Sequence, residues 1–80
     1  MKAKVFVTLK KGVLDPQGEA IGSALKSLGH ESVFSVRQGK FFEIALGAAS
    51  RIEAEQSLKN MCEKLLANTV IEDYKFEIHD

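Results

Sequence analysis

Residues 33–46, VFSVRQGKFFEIAL, decide the fold. β-Branched and aromatic side chains fill both halves of the stretch, and its single glycine, Gly39, stands between them. Runs of that composition fit a pleated, half-buried surface, and a glycine separating two of them marks a tight turn. The stretch therefore predicts a hairpin, with His30–Gln38 paired to Lys40–Leu46 around Gly39. Arg37, Gln38 and Lys40 would then stand at its tip, two cations and an amide placed to meet an anionic ligand or a partner's carboxylates.

Upstream, Lys2 to Lys10 alternates, with Ala3, Val5, Val7 and Leu9 on one side and Lys4, Phe6, Thr8 and Lys10 on the other. That period of two marks a strand. The stretch KKGVLDPQG, Lys10–Gly18, follows and holds the only proline of the chain. Asp15 is placed to cap a helix whose first residue is Pro16, and Glu19 favours the positive end of its dipole. A cap alone accounts for neither Gly12 nor Gly18. With Asp15 and Pro16 they mark a candidate structural loop, since glycine at a third helical position is usually tolerated for conformational or close-packing reasons. Ala20, Ile21, Ala24, Leu25 and Leu28 then share one helical stripe, and Gly29 suits a C-terminal cap.

Downstream, Ser50 and Glu53 form a Ser-x-x-Glu capping box. The helix it opens carries Ala54, Leu58, Met61, Cys62 and Leu65 on one stripe and is closed by Asn68. Tyr74, Phe76 and Ile78 alternate with Lys75, Glu77 and His79 in a last strand. The order strand, helix, strand, strand, helix, strand predicts a single α+β domain over residues 1–80, ferredoxin-like βαββαβ, with a four-stranded antiparallel sheet and two helices on one face. Right-handed crossovers pair the first strand with the third at the centre.

Phe6, Phe34, Val36, Phe41, Phe42 and Ile44 supply more apolar surface than one helix-covered sheet face needs. An uncovered apolar face is commonly an interface, and a chain of 80 residues is short of core. Its one cysteine, Cys62, rules out an internal disulfide. Oligomerisation through the sheet is the expected remedy, with Phe6 and Ile44 as candidate interface residues. Eleven basic and eleven acidic side chains cancel, which removes the electrostatic footprint of a nucleic-acid or membrane-surface protein. The N-terminal residues run straight into a strand, and no apolar run approaches the ~20 residues of a membrane span. A cytoplasmic protein is expected.

Catalytic signatures are missing from the sequence. It has no phosphate-cradling Gly-x-x-x-x-Gly-Lys loop, no Gly-x-Gly-x-x-Gly, no zinc-finger Cys/His spacing and no His/Glu metal pair at helical spacing. His30 and His79 have no motif partners. On the stripe of the second helix Cys62 reads as a buried, inert thiol. No catalytic, cofactor-binding or metal-binding residue is assigned.

Three segments taken in order, GVLDPQGEAIGSAL, VRQGKFFEI and CEKLLANTVIEDY, resemble the PurS family, the small subunit of multi-subunit phosphoribosylformylglycinamidine synthase. Thr69 departs from a proline common in that family, a change confined to the helix exit. The resemblance implies a non-catalytic subunit of purine biosynthesis, itself a homodimer or homotetramer. It would hold a glutaminase subunit against a large synthase subunit and support ammonia passage between them. ATP and Mg would belong to the large subunit and no cofactor to this one. Competing uses of the same fold are a small-metabolite-binding ACT-like regulatory domain, an RNA-binding platform and an acylphosphatase. Neutral charge speaks against RNA, and Asp15 with Glu19 would repel a phosphate.

Overall fold

The computed structural model describes residues 1–79. Three strands, β1 (Lys2–Leu9), β2 (Gly39–Ala45) and β3 (Glu72–His79), form one antiparallel sheet in the order β2-β1-β3. Helix α1 (Pro16–Ser27) joins β1 to β2, and helix α2 (Arg51–Met61) leads through a π-helical turn at Cys62–Leu66 to β3.

β1 lies at the centre because its alternation supplies a face with no polar atoms. Ala3, Val5 and Val7 are buried, and on either side Ala3 pairs with Ile44 and Ile78, Val5 with Phe42 and Phe76. α2 covers this face with Ala54, Leu58 and Cys62, all fully buried. Its start follows the capping box: Ser50 Oγ accepts from the Glu53 N–H at 3.1 Å, while the Glu53 carboxylate accepts from the Ala49 N–H at 3.2 Å. After Met61 the winding loosens, and the Ala67 N–H reaches back five residues to the Cys62 carbonyl at 2.9 Å. A π turn carries more residues than an α turn. Leu66, not Leu65, therefore follows Cys62 on the covered side, and Leu65 is 83 % exposed instead of joining the stripe. Asn68 and Glu72 close the exit, where Asn68 O accepts from the Glu72 N–H at 2.7 Å and Glu72 Oε1 accepts from the Asn68 N–H at 2.7 Å.

The expected four-stranded sheet is corrected to three strands. Gly39 makes no turn: among the described residues only Gly12 and Gly29 have positive φ, and a two-residue hairpin turn needs that conformation. Gly39 is instead the first residue of β2, opposite Thr8, and a Cβ there would stand 2.5 Å from the Val7 carbonyl oxygen. Glycine is present for the close approach of two strands. Residues 33–38 consequently do not fold back on β2 and pair with no strand, so the edge place beside β2 stays empty.

The second correction concerns α1, which was expected on the helix-covered face. No residue of α1 belongs to the hydrophobic core. Together with residues 33–38 it forms an arm beyond the sheet. The chain measures 50 Å along its longest axis and has a radius of gyration of 16.0 Å, against about 12 Å for a compact chain of this length.

Candidate functional site

The arm and its root are where this chain departs from a closed domain. Asp15 caps α1 in the predicted manner, its Oδ1 accepting from the Gly18 N–H at 2.9 Å. Its second oxygen does what the sequence did not reveal: Oδ2 accepts from the Gln38 N–H at 2.7 Å. One carboxylate thus binds the helix start to the residue just ahead of β2. It is 5 % exposed, and these bonds, Gln38 first and Gly18 second, hold its pKa below the ordinary 3.8, assisted by the nearby Arg37 charge and opposed by desolvation.

The remaining loop residues fit around this junction. Gly12 adopts φ +86° in the turn ahead of α1, a conformation that favours glycine. Gly18 lies against the Val36 carbonyl, where a Cβ would also come within 2.7 Å of Asp15 Oδ2. Pro16 is the first helical residue. The structural loop read from Gly12, Asp15, Pro16 and Gly18 is therefore brought together in space.

Arg37, Gln38 and Lys40 are not at a hairpin tip. Arg37 donates to the Val13 carbonyl at 2.9 Å and to the Lys10 carbonyl at 3.2 Å, stitching the arm to the loop after β1. The Gln38 side chain donates to Gln17 at 2.6 Å, and Lys40 lies 3.5 Å from the Glu72 carboxylate. Phe6 and Ile44 fall on opposite faces of the sheet. Ile44 packs against the core, whereas Phe6 sits on the uncovered face with the Phe41 ring 5.1 Å away and Lys75 Nζ 5.3 Å from its centroid.

Along the arm the apolar stripe of α1 exists but is mostly uncovered by the described residues, with Leu25 alone of it half-buried. Gly18 and Gly22 face the extended segment, while Ile21 and Leu28 are exposed, and Phe34 is 95 % exposed. The backbone N–H groups of Phe34, Ser35 and Val36 find no acceptor among the described residues. Sequence reasoning placed the α1 stripe against the chain's own sheet and counted Phe34 in the apolar surplus expected to face another copy.

Elsewhere, Cys62 and Tyr74 lie where α2, the π turn and β3 meet. Burial first and the Glu63 charge second push the Cys62 thiol up, so it stays protonated. The hydrogen bond from Tyr74 to Glu63, 2.8 Å long, raises the Tyr74 phenol and ties β3 to the π turn. Among the described residues no group of three His, Cys, Asp or Glu side chains could hold a metal ion, and no helix is long and apolar enough to cross a membrane.

The sequence model of PurS, phosphoribosylformylglycinamidine (FGAM) synthase, matches residues 2–80. The PurS subunit of Bacillus subtilis is 49 % identical over 79 residues, 99 % of this chain and 93 % of that protein. The Synechocystis PurS subunit is 51 % identical over 75 residues, 94 % of this chain and 75 % of that one. The B. subtilis PurS crystal structure superposes with a TM-score of 0.89, covering 99 % of this chain and 98 % of that one at 49 % identity. A chain in the structure of PurLQS from Thermotoga maritima superposes with a TM-score of 0.88 at 32 % identity, covering 95 % and 93 %. With matches of this extent on both sequence and fold, the chain belongs to the PurS family.

Proposed function

We propose that this chain is the small, non-catalytic subunit of phosphoribosylformylglycinamidine synthase in purine biosynthesis, and that its arm is the surface through which it assembles. The Thermotoga relative belongs to PurLQS, and a Methanocaldococcus jannaschii relative, 39 % identical with a TM-score of 0.89, is one of the subunits of the amidotransferase of the purine pathway. The observation that carries the assembly reading is the arm itself. It holds exposed Ile21, Leu28 and Phe34 and an extended segment with unpaired backbone, next to a sheet whose β2 edge is vacant.

Both deficits are met by a second copy. An extended segment can add to a free strand edge through main-chain hydrogen bonds, and α1 would bring its apolar stripe to the other copy. A two-fold axis makes the exchange reciprocal, so each sheet gains the fourth strand that its own chain does not supply. The resulting homo-oligomer, a dimer or a pair of dimers, would work in the cytoplasm, joining a glutaminase subunit to the large synthase subunit and supporting ammonia transfer. ATP and Mg would be bound by the large subunit and no cofactor by this one. No observation favours an ACT-like metabolite sensor.

The experiment compares the parent with Phe34→Asp and Ile21→Asp in sedimentation and in titration into the other two subunits. Both variants should stay folded by circular dichroism, sediment as smaller species and support less glutamine-dependent turnover, with ammonia-dependent turnover of the large subunit much less affected. Variants that assemble and sustain turnover like the parent would refute the arm as the contact surface.

A further inference from the structure

Asp15 makes two bonds to two elements where a helix cap needs one. Oδ1 holds the Gly18 N–H within α1, and Oδ2 holds the Gln38 N–H, 23 residues further on, at the point where the extended segment enters β2. Resting on the reading of the arm as the contact surface, we propose that Asp15 is the positioning residue for assembly. Its carboxylate fixes the direction in which α1 and residues 33–38 leave the sheet, and so the geometry in which a second copy is met.

The geometry leaves the arm few other constraints. α1 contributes nothing to the hydrophobic core. Buried Gly22 lies against the Val36 side chain, and the other side-chain hydrogen bonds of the arm and its root are exposed: the Gln17–Gln38 contact at 2.6 Å and the Arg37 bonds to Val13 and Lys10. Of the side chains that make these hydrogen bonds Asp15 alone is buried, and it accepts with both oxygens from backbone donors that cannot rotate away. The close packing depends on Gly18, whose missing side chain admits both the Val36 carbonyl and the Asp15 carboxylate. A carboxylate in this role is a hinge pin between two elements that share no apolar contact surface with the core.

Asp15→Ser separates the two bonds, because a serine hydroxyl at an N-cap still accepts from the third helical N–H but cannot also serve Gln38. Helix content should match the parent. The Gln38 amide should exchange with solvent about tenfold faster or more, while the Gly18 amide keeps its protection, and homo-oligomer dissociation should rise by a similar factor. Gly18→Ala, whose methyl group would press on both the Val36 carbonyl and Asp15 Oδ2 and so displace the carboxylate from Gln38, should also weaken association, and it decides the question if Asp15→Ser loses helix. An unchanged Gln38 exchange rate in Asp15→Ser, or unchanged association in the deciding variant, overturns the proposal. Phe34→Asp run in parallel identifies the cause: if it associates normally, the arm is not the contact surface, and if it alone fails to associate, only the role of Asp15 is lost.

Discussion

The sheet with α2 and the arm with its root both carry apolar stripes but are held by different forces. In the body, Val5, Val7, Leu58 and Cys62 are fully buried and in mutual contact, so burial of apolar area does most of the work. In the arm the ties are polar and individually small, namely Asp15, Arg37 and the Gln17–Gln38 contact, while the large apolar side chains Ile21, Leu28 and Phe34 face outward. The contrast teaches that an apolar stripe in a sequence states only that something must cover it. The cover can come from another chain.

The comparison breaks most visibly in the body. Leu58→Ala should cost about 2–5 kcal/mol, as truncations of fully buried leucines do, a large part of the roughly 4–12 kcal/mol available to a chain of this size. Urea unfolding monitored by circular dichroism measures it. At the junction between the two regions, Gly39→Ala should cost about 1–3 kcal/mol by overpacking, because its Cβ would stand 2.5 Å from the Val7 carbonyl oxygen and a backbone atom cannot step aside. Were Gly39 a turn residue, the penalty would instead come from backbone conformation, and the β1–β2 amides would keep their exchange protection.

A smaller effect separates the regions by pH. Because the folded Asp15 carboxyl lies below its ordinary value of 3.8, its contribution is fully present above that value and is lost as the pH falls from 3.8 through the folded pKa. The Gln38 amide should therefore lose protection in acid before the amides of β1 do. An Asp15→Asn chain should show no such step. Smallest of all, Arg37→Ala and Lys40→Ala should each change the unfolding free energy by less than about 0.5 kcal/mol, since both side chains act at the surface. Thermal unfolding at matched concentration checks this.

Much of the body was legible in the sequence. The alternation of β1 and β3, the Ser50 cap and the Ala54, Leu58, Cys62 stripe all find their partners within the chain, so periodicity and packing agree. Leu65 was misplaced because the π turn at Cys62–Leu66 shifts the register, and nothing in CEKLL announces it. The Asp15 cap was legible from Asp-Pro, but its bond to Gln38 was not, since it joins residues far apart in sequence. Gly39 misled for a physical reason: a glycine between two β-rich runs serves a turn or a close approach equally well, and only the position of Val7 distinguishes them. The fourth strand was read from real strand-forming residues, 33–38, that pair with no strand among the described residues.

The central claim, that the arm is completed by another chain, is tested most directly by hydrogen exchange of the Phe34, Ser35 and Val36 amides as a function of protein concentration. These groups have no acceptor among the described residues, so protection that rises with protein concentration reports a second molecule. The account predicts slow exchange at high concentration and free exchange on dilution, with the Val5 and Val7 amides of β1 protected throughout. Free exchange of the three arm amides at every concentration, in a protein that remains folded, would contradict it.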